Sequence, residues 1–212
     1  MRVTALERKP GGKRVELHLD GEPATALSAE VCLRFGLRVG DELTDAILDD
    51  LRDAETRHRA LASALRLLSY RPRSEAELRG RLAQKTVAAT VIEETIGRLR
   101  GAGLLNDEEF ARSWVDSRDR TSPRSRRLLS SELRAKGVDA GLAEQSVAGA
   151  NDEDTAYRAA IRRARTQQAV PYVEFRRRLG GFLLRRGFEY EVVKRVVARL
   201  WQENAGEGTG RR

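Results

Sequence analysis

The sequence predicts a mainly α protein: tandem three-helix repeats forming an elongated, curved array, with a small N-terminal β-hairpin element in front. Three observations predict it. Leu78 and Leu82 recur as Leu129 and Leu133 and again as Leu179 and Leu183, at offsets of 51 and then 50 residues. The same offsets carry Val91, Ile96 and Leu99 onto Leu142, Val147 and Ala150, and then onto Val192, Val197 and Leu200. A period-two alternation, the mark of a half-buried strand, is clearest in Val15-Glu-Leu-His-Leu19, near the start. Units repeated at a fixed period stack mainly on their neighbours, which produces a train of modules rather than a ball.

Taken in order, Val3 to Arg8 is a short strand-like run, Pro10-Gly11-Gly12 a turn, Val15 to Leu19 a strand, and Asp20-Gly21 a second turn. A brief strand from Ala24 to Leu27 and a short helix from Ala29 to Arg34, stopped by Gly36, complete residues 1–43. This element holds too little apolar surface to fold alone and must lean on the helical chain beyond it. Leu43, Ile47, Leu48, Leu51 and Ala54, then His58, Leu61, Leu65 and Leu68, share one helical spacing, so one long helix should run from Thr44 to Ser69. Asp41 to Glu55 carries seven acidic residues and one basic, read as a solvated face or as a partner for basic repeats further on. Pro72 stops the helix, and Ser74-Glu-Ala-Glu77 and Thr90-Val-Ile-Glu93 read as capping boxes for two more.

Repeat one therefore spans 44–105, repeat two 106–151 and repeat three 152–204, with 205–212 a Gly-rich disordered tail. At the junction of the first two, Gly101 and Gly103 suit a helix end, and Leu104 and Leu105 should fold into the core. Asn106 is a good N-cap with Glu109 three residues on, and Phe110 and Trp114 fall one turn apart. Lys85-Thr86-Val87 aligns with Lys136-Gly137-Val138 and Arg186-Gly187-Phe188. A β-branched Thr86 disfavours the left-handed cap that glycine allows, so a different turn geometry is expected in repeat one.

The chain has 212 residues, 34% charged and 40% hydrophobic, with a mean hydropathy of -0.54. These values suit several small helical modules. A net charge of +8 and a pI near 10.2 point to an acidic partner, nucleic acid or an acidic protein surface. The choice of 35 Arg over 5 Lys follows GC-rich coding and carries little weight; the excess of positive charge does carry weight. One cysteine, Cys32, excludes an internal disulfide and reads as a small core hydrophobe in a reducing, cytoplasmic setting. Neither a membrane-spanning run nor a signal-peptide core is apparent. His18 and His58 lie on different elements, and no catalytic constellation or metal-ligand spacing emerges. Gly206-Glu-Gly-Thr-Gly210 lacks the strand, helix and Lys-Ser/Thr end of a phosphate loop. An enzyme, a cofactor and a resident metal are therefore not expected.

Gly103-Leu-Leu-Asn-Asp107 followed by Phe110-Ala111 resembles the signature of the RecX family, bacterial regulators of the RecA recombinase. Arg71-Pro-Arg-Ser-Glu-Ala-Glu-Leu-Arg-Gly-Arg-Leu82 upstream and Glu132-Leu-Arg-Ala-Lys-Gly-Val138 downstream match the same family in order, and the resemblance covers residues 60–204. The family pattern has glycine at position 86 and a Gly-Pro pair where Thr121-Ser-Pro123 stands here. The resemblance implies a non-enzymatic monomer that binds RecA filaments on DNA. It further implies inhibition of ATP hydrolysis, strand exchange and coprotease activity, in recombination, DNA repair and the SOS response. It transfers no catalytic residue.

Candidate contacts come from the basic segments. Arg118 to Lys136 contains seven basic and two acidic residues; Arg158 to Arg186 contains nine basic and one acidic. Any single arginine reads as a solvated helix face, but cations held this close repel unless something neutralises them. Arg124, Arg126, Arg127, Arg162, Arg163, Arg176, Arg177 and Arg178 are the expected contacts to the recombinase or to single- or double-stranded DNA. Trp114, Tyr157, Phe182, Phe188 and Trp201 occupy apolar repeat positions and read as core. Basic charge without a stacking platform predicts weak, salt-sensitive, sequence-independent DNA contact. The alternative is a helix-turn-helix-like DNA-binding transcriptional regulator. No repeat shows a convincing set of base-reading Asn, Gln and Arg on one helix.

Overall fold

The computed structural model describes residues 1–167 and 170–209. Three antiparallel strands come first: β1 (Val3–Arg8), β2 (Arg14–Leu19) and β3 (Glu22–Ser28), with β2 central. Ten helices succeed them among the described residues: α1 (Ala29–Phe35), α2 (Asp45–Tyr70), α3 (Glu75–Ala83), α4 (Ala89–Gly101), α5 (Asp107–Thr121), α6 (Arg126–Ala135), α7 (Ala140–Val147), α8 (Asp152–Arg165), α9 (Tyr172–Arg185) and α10 (Tyr190–Thr209). The chain forms two units. Met1–Pro72 and Leu78–Leu105 make the first; Arg73–Glu77 and the residues from Asn106 onward make the second.

In the first unit the alternation of β2 buries Val15, Leu17 and Leu19 on one side. They join Val3, Leu27, Val31, Cys32, Leu43 and, from the first half of α2, Leu48, Leu51 and Ala54. The sheet thus gains the apolar cover that a free hairpin lacks, and the expected brief third strand is a full partner of β2. Burial, with Glu55 nearby, pushes the Cys32 thiol above its ordinary pKa. The acidic side of α2 stays in water and pairs locally, Asp49 with Arg52 and Asp53 with Arg57. Glu55 is the exception. It is buried, and its carboxylate accepts both the Ser28 N–H and the Ser28 hydroxyl at 2.6 Å, fixing the start of α1 on α2.

Repeat one packs Leu78, Leu82, Ile92, Ile96, Leu99 and Leu105 against Ala64 of α2. Three local expectations fail here. Leu104 is 55% exposed while Leu105 is buried, because the turn ending in Gly103 (φ 69°) aims one leucine in and one out. Thr90 is not a cap: α4 starts at Ala89, and Glu93 instead pairs with Arg79 at 2.8 Å. Thr86 does adopt the left-handed conformation, φ 59°, as do Gly137 (79°) and Gly187 (84°). The turn geometry is shared by all three repeats, and threonine carries the strain of it in the first.

The second unit repeats the core twice: Phe110, Ala111, Leu129, Leu133, Val138, Ala143 and Val147, then Ala156, Ala160, Phe175, Leu179, Leu183, Phe188, Val193, Val197 and Leu200. Equivalent serines join successive repeats, one through its hydroxyl and one through its backbone N–H. Ser74 caps α3 by accepting the Glu77 N–H at 3.1 Å, and its hydroxyl donates to the Lys136 carbonyl. Ser125 caps α6 by accepting the Leu128 N–H at 3.2 Å, and its own N–H donates to the Arg186 carbonyl at 3.0 Å. The glycines after those carbonyls are required for room. A Cβ on Gly137 would lie 2.1 Å from the Ala76 Cβ, and one on Gly187 2.6 Å from the Ser125 Oγ. Asp107 accepts the Glu75 N–H at 2.8 Å, and Asp152 accepts the Arg126 N–H at the same distance. Beside them, Asn106 and Asn151 cap their own helices, α5 and α8. The tail expectation for 205–212 meets a different backbone: α10 continues to Thr209, and residues 210–212 lie outside the described residues.

Candidate polyanion-binding surface

On α5, Trp114 and Arg118 are one turn apart and share a helix face. The Arg118 guanidinium lies 4.4 Å from the indole centroid, and the Lys136 ammonium, from the end of α6, also lies 4.4 Å away. Glu132 of α6 ties the group together. It accepts the Trp114 Nε1–H at 3.0 Å and the Arg118 Nε–H at 3.2 Å, and it forms an ion pair with Arg124. Lys136 donates to Glu77 at 2.9 Å.

Repeat three rebuilds this arrangement with different residues. Phe182 stands at the position of Glu132, 50 residues on, and Arg186 stands at that of Lys136. Arg163 of α8 and Arg186, which caps the end of α9, lie 5.1 and 4.5 Å from the Phe182 centroid. Arg186 donates to the Ser122 hydroxyl and the Pro123 carbonyl, both at 2.9 Å, so Ser122-Pro123 holds this guanidinium. Neither Arg163 nor Arg186 forms an ion pair with a carboxylate among the described residues.

The two halves form one electrostatic run. Burial pushes the Arg124 pKa below its usual value, and the charges of Arg118 and Arg186 push it further. Burial likewise lowers Arg186, and Arg163 adds to the effect. Guanidinium groups remain charged at neutral pH regardless, so the run keeps its positive charge.

The structure separates the sequence-selected arginines. Arg124 and Arg163 belong to this run. Arg126 and Arg127 are exposed at the start of α6, and Arg162 is exposed on α8; their side chains make no hydrogen bond or ion pair among the described residues. Arg176, Arg177 and Arg178 lie elsewhere, on α9. Arg176 donates to the Tyr190 hydroxyl at 3.2 Å, and both Arg177 and Arg178 pair with Glu174. The first two edge a groove of about 440 Å³ with Val173, Leu184 and Lys194.

Sequence reasoning passed over Arg118, Lys136 and Arg186, and it placed Trp114 and Phe182 in the core. Both rings pack against the cores of their repeats, but they are only half-buried and also serve as seats for cations. The signal was available: Arg118 lies four residues after Trp114, and Arg186 takes the Lys136 register. Phe188 and the body of repeat three do behave as core.

Among the described residues, one grouping has metal-ligand character, Glu7, Glu16 and His18, on the face of β1 and β2. Lys9 already pairs with Glu16 there and lowers its pKa. No helix among the described residues is long and apolar enough to cross a membrane.

Tandem three-helix units, with a cationic seam in the second unit, define a class of helical-repeat protein, and comparison with known proteins makes it specific. Residues 60–99, 106–147 and 151–197 match the sequence models of RecX, first, second and third three-helix domain. The regulatory protein RecX of Geobacillus thermodenitrificans is 34% identical over 189 residues, covering 87% of this chain and 70% of the relative. That of Corynebacterium efficiens is 41% identical over 145 residues, covering 65% and 67%. A crystal structure of regulatory protein RecX superposes with a TM-score of 0.67 at 22% identity, covering 92% of this chain and 98% of the other. A crystal structure of RecX from Lactobacillus salivarius gives 0.60 at 25% identity over 69% of this chain and 97% of the other. The chain belongs to the RecX family.

Proposed function

We propose that this chain is a non-enzymatic regulator that docks on RecA–DNA filaments in the cytoplasm and inhibits recombinase activity. Membership of a family whose relatives are named regulatory proteins supports the reading. The observation that carries it is the run of Arg118, Arg124, Arg186 and Arg163, seated on Trp114 and Phe182 and incompletely neutralised by Glu132. A seam of this kind meets an acidic filament surface or phosphates through many small contacts, each worth roughly 0–1 kcal/mol when exposed. The aromatic faces are occupied by cations, so they offer no free stacking platform. DNA contact of the protein alone is therefore weak and sequence-independent.

The test is DNA-dependent ATP hydrolysis by the recombinase of the same organism, with this protein titrated in as a monomer. Dose-dependent inhibition is expected, and the double substitution R118E/R163E should raise the half-inhibitory concentration about tenfold or more, a loss of roughly 1.4 kcal/mol. Inhibition at well under one protein per recombinase subunit indicates blocked filament growth, and inhibition near equal ratios indicates groove coating. No inhibition at either low or moderate salt would sink the reading. A strong preference for one DNA site, about 4–10 kcal/mol over random sequence, would instead establish the transcriptional alternative.

A further inference from the structure

The first unit carries a cleft that plays no part in the cationic seam. It has a volume of about 590 Å³ and is walled by the start of β2, the face of α2 and the turn between α3 and α4. Five cations line it: Lys13, Arg14, Arg59, Arg66 and Lys85. The single carboxylate among its lining residues is Glu55, already engaged by both donors of Ser28. Arg14 donates to the Ala26 carbonyl at 2.7 Å and pairs with Glu55 at 3.9 Å, which leaves four of the five cations without a carboxylate partner among the described residues; Lys85 donates to the Ser63 hydroxyl, a neutral acceptor that orients it without cancelling its charge. The side chains of Lys13, Arg59 and Arg66 form no hydrogen bond or ion pair among the described residues. Such a concentration of cations in a concave wall focuses positive potential outward.

Thr86 points the same way on independent grounds. Its turn has the left-handed geometry of Gly137 and Gly187, which for a threonine costs roughly 1–2 kcal/mol. In the later repeats, glycine is required by the side chains pressed against the turn. Thr86 is exposed and lines the cleft instead. No crowding demands glycine there, yet the conformation still favours it. Strain retained at a cleft wall, with a hydroxyl donor as what threonine adds, is characteristic of a binding site.

We propose that this cleft binds phosphate groups, with Arg59 and Arg66 as guanidinium clamps, Lys13 and Lys85 as point charges and Thr86 as a hydroxyl donor. The ligand is either a nucleic-acid phosphodiester backbone or a free polyphosphate. The assignment is independent of recombinase regulation, because it concerns the other unit and needs no recombinase in its test.

The five lysines of this chain make that test direct. Two, Lys13 and Lys85, lie in the cleft; Lys136 lies in the seam; Lys9 and Lys194 lie at neither site. Lysine acetylation rates, read by mass spectrometry on the full chain, are compared with and without a short single-stranded oligonucleotide or pyrophosphate. At a probe concentration ten times its dissociation constant, Lys13 and Lys85 should label about tenfold more slowly while Lys9 does not change. Protection by pyrophosphate assigns a small polyphosphate, and protection by the oligonucleotide alone assigns the phosphodiester backbone. The exposed-face variant R59E/R66E should abolish protection at Lys13 and Lys85 and leave that at Lys136. The single charge-reversal control R52E, on the same helix but outside the cleft, should leave all protection in place. Unchanged labelling of Lys13 and Lys85 with both probes, or protection that survives R59E/R66E, overturns the proposal.

Discussion

At the scale of single residues, one backbone conformation receives three different treatments. Thr86, Gly137 and Gly187 all sit at positive φ. Replacing Thr86 by Gly should stabilise the first unit by about 1 kcal/mol, since it removes left-handed strain without touching a packed neighbour. Thermal unfolding measures that gain, and a loss of stability would mean that the Thr86 side chain makes a compensating contact. Gly137→Ala should cost about 3 kcal/mol, combining the same strain with a steric overlap on Ala76. Adding Ala76→Gly to Gly137→Ala should recover the steric part, leaving an interaction energy in a double-mutant cycle. Simple additivity would rule out the overlap as the cause. The sequence revealed the shared register of these positions but not the reason for the threonine. The glycines answer to a neighbour some 60 residues away in sequence, Ala76 for Gly137 and Ser125 for Gly187, whereas Thr86 is exposed.

At the scale of elements, caps and latches position the helices. The family-like run around Asn106 and Asp107 is structural. Asn106 serves α5, while Asp107 reaches back to the first N–H of α3. Asp107→Ala should therefore destabilise the second unit by about 1–2 kcal/mol, measured by urea unfolding, and retention of full stability would refute the capping role. The second latch is in repeat three. Burial would raise the Glu203 pKa, but hydrogen bonds from Tyr157 (2.8 Å) and Arg199 (3.0 Å) outweigh it and hold the carboxyl below its ordinary 4.5. A depressed folded-state pKa gives stability that is complete above the unfolded value and lost as the pH falls through the folded one. Glu203→Gln should thus cost about 1 kcal/mol at neutral pH, and its melting temperature should converge on that of the parent chain below pH 4.5. A difference that persists in acid would show that the carboxylate charge is not the stabilising feature. Element positions were legible in the sequence wherever periodicity and a cap agreed, as in α2 and α5. They failed at α4, where Ala88 precedes the helix and Thr90 merely looks like a cap.

At the scale of the whole molecule, the chain offers two cationic sites, one in each unit. Binding to single-stranded DNA should weaken with salt at a slope of about 0.7 per phosphate neutralised. R118E/R163E should lower that slope by about 1.4, as read from affinity at several salt concentrations. An unchanged slope would place DNA away from the seam. The net basic charge and the candidate segments were visible in the residues. The seam was not, because it gathers side chains from α5, α6, α8 and α9 around two rings that spacing alone assigns to the core. The basic cleft was hidden for the same reason: its cations arrive from a strand, a helix and a turn, separated by more than 70 residues.

The serine-to-glycine contacts also give the series of repeats a direction, as plugs and sockets do. Repeat one has the plug, Ser74, and a turn closed to plugs by Thr86. Repeat two has both, the socket at Gly137 and the plug at Ser125. Repeat three has the socket at Gly187, but the plug position falls on Phe175, within the early start of α9 and sunk in its own core. A repeat that could both give and receive at each end would invite other copies to join on. Here threonine stands at one end and phenylalanine at the other, so neither terminal repeat carries the full serine–glycine pair.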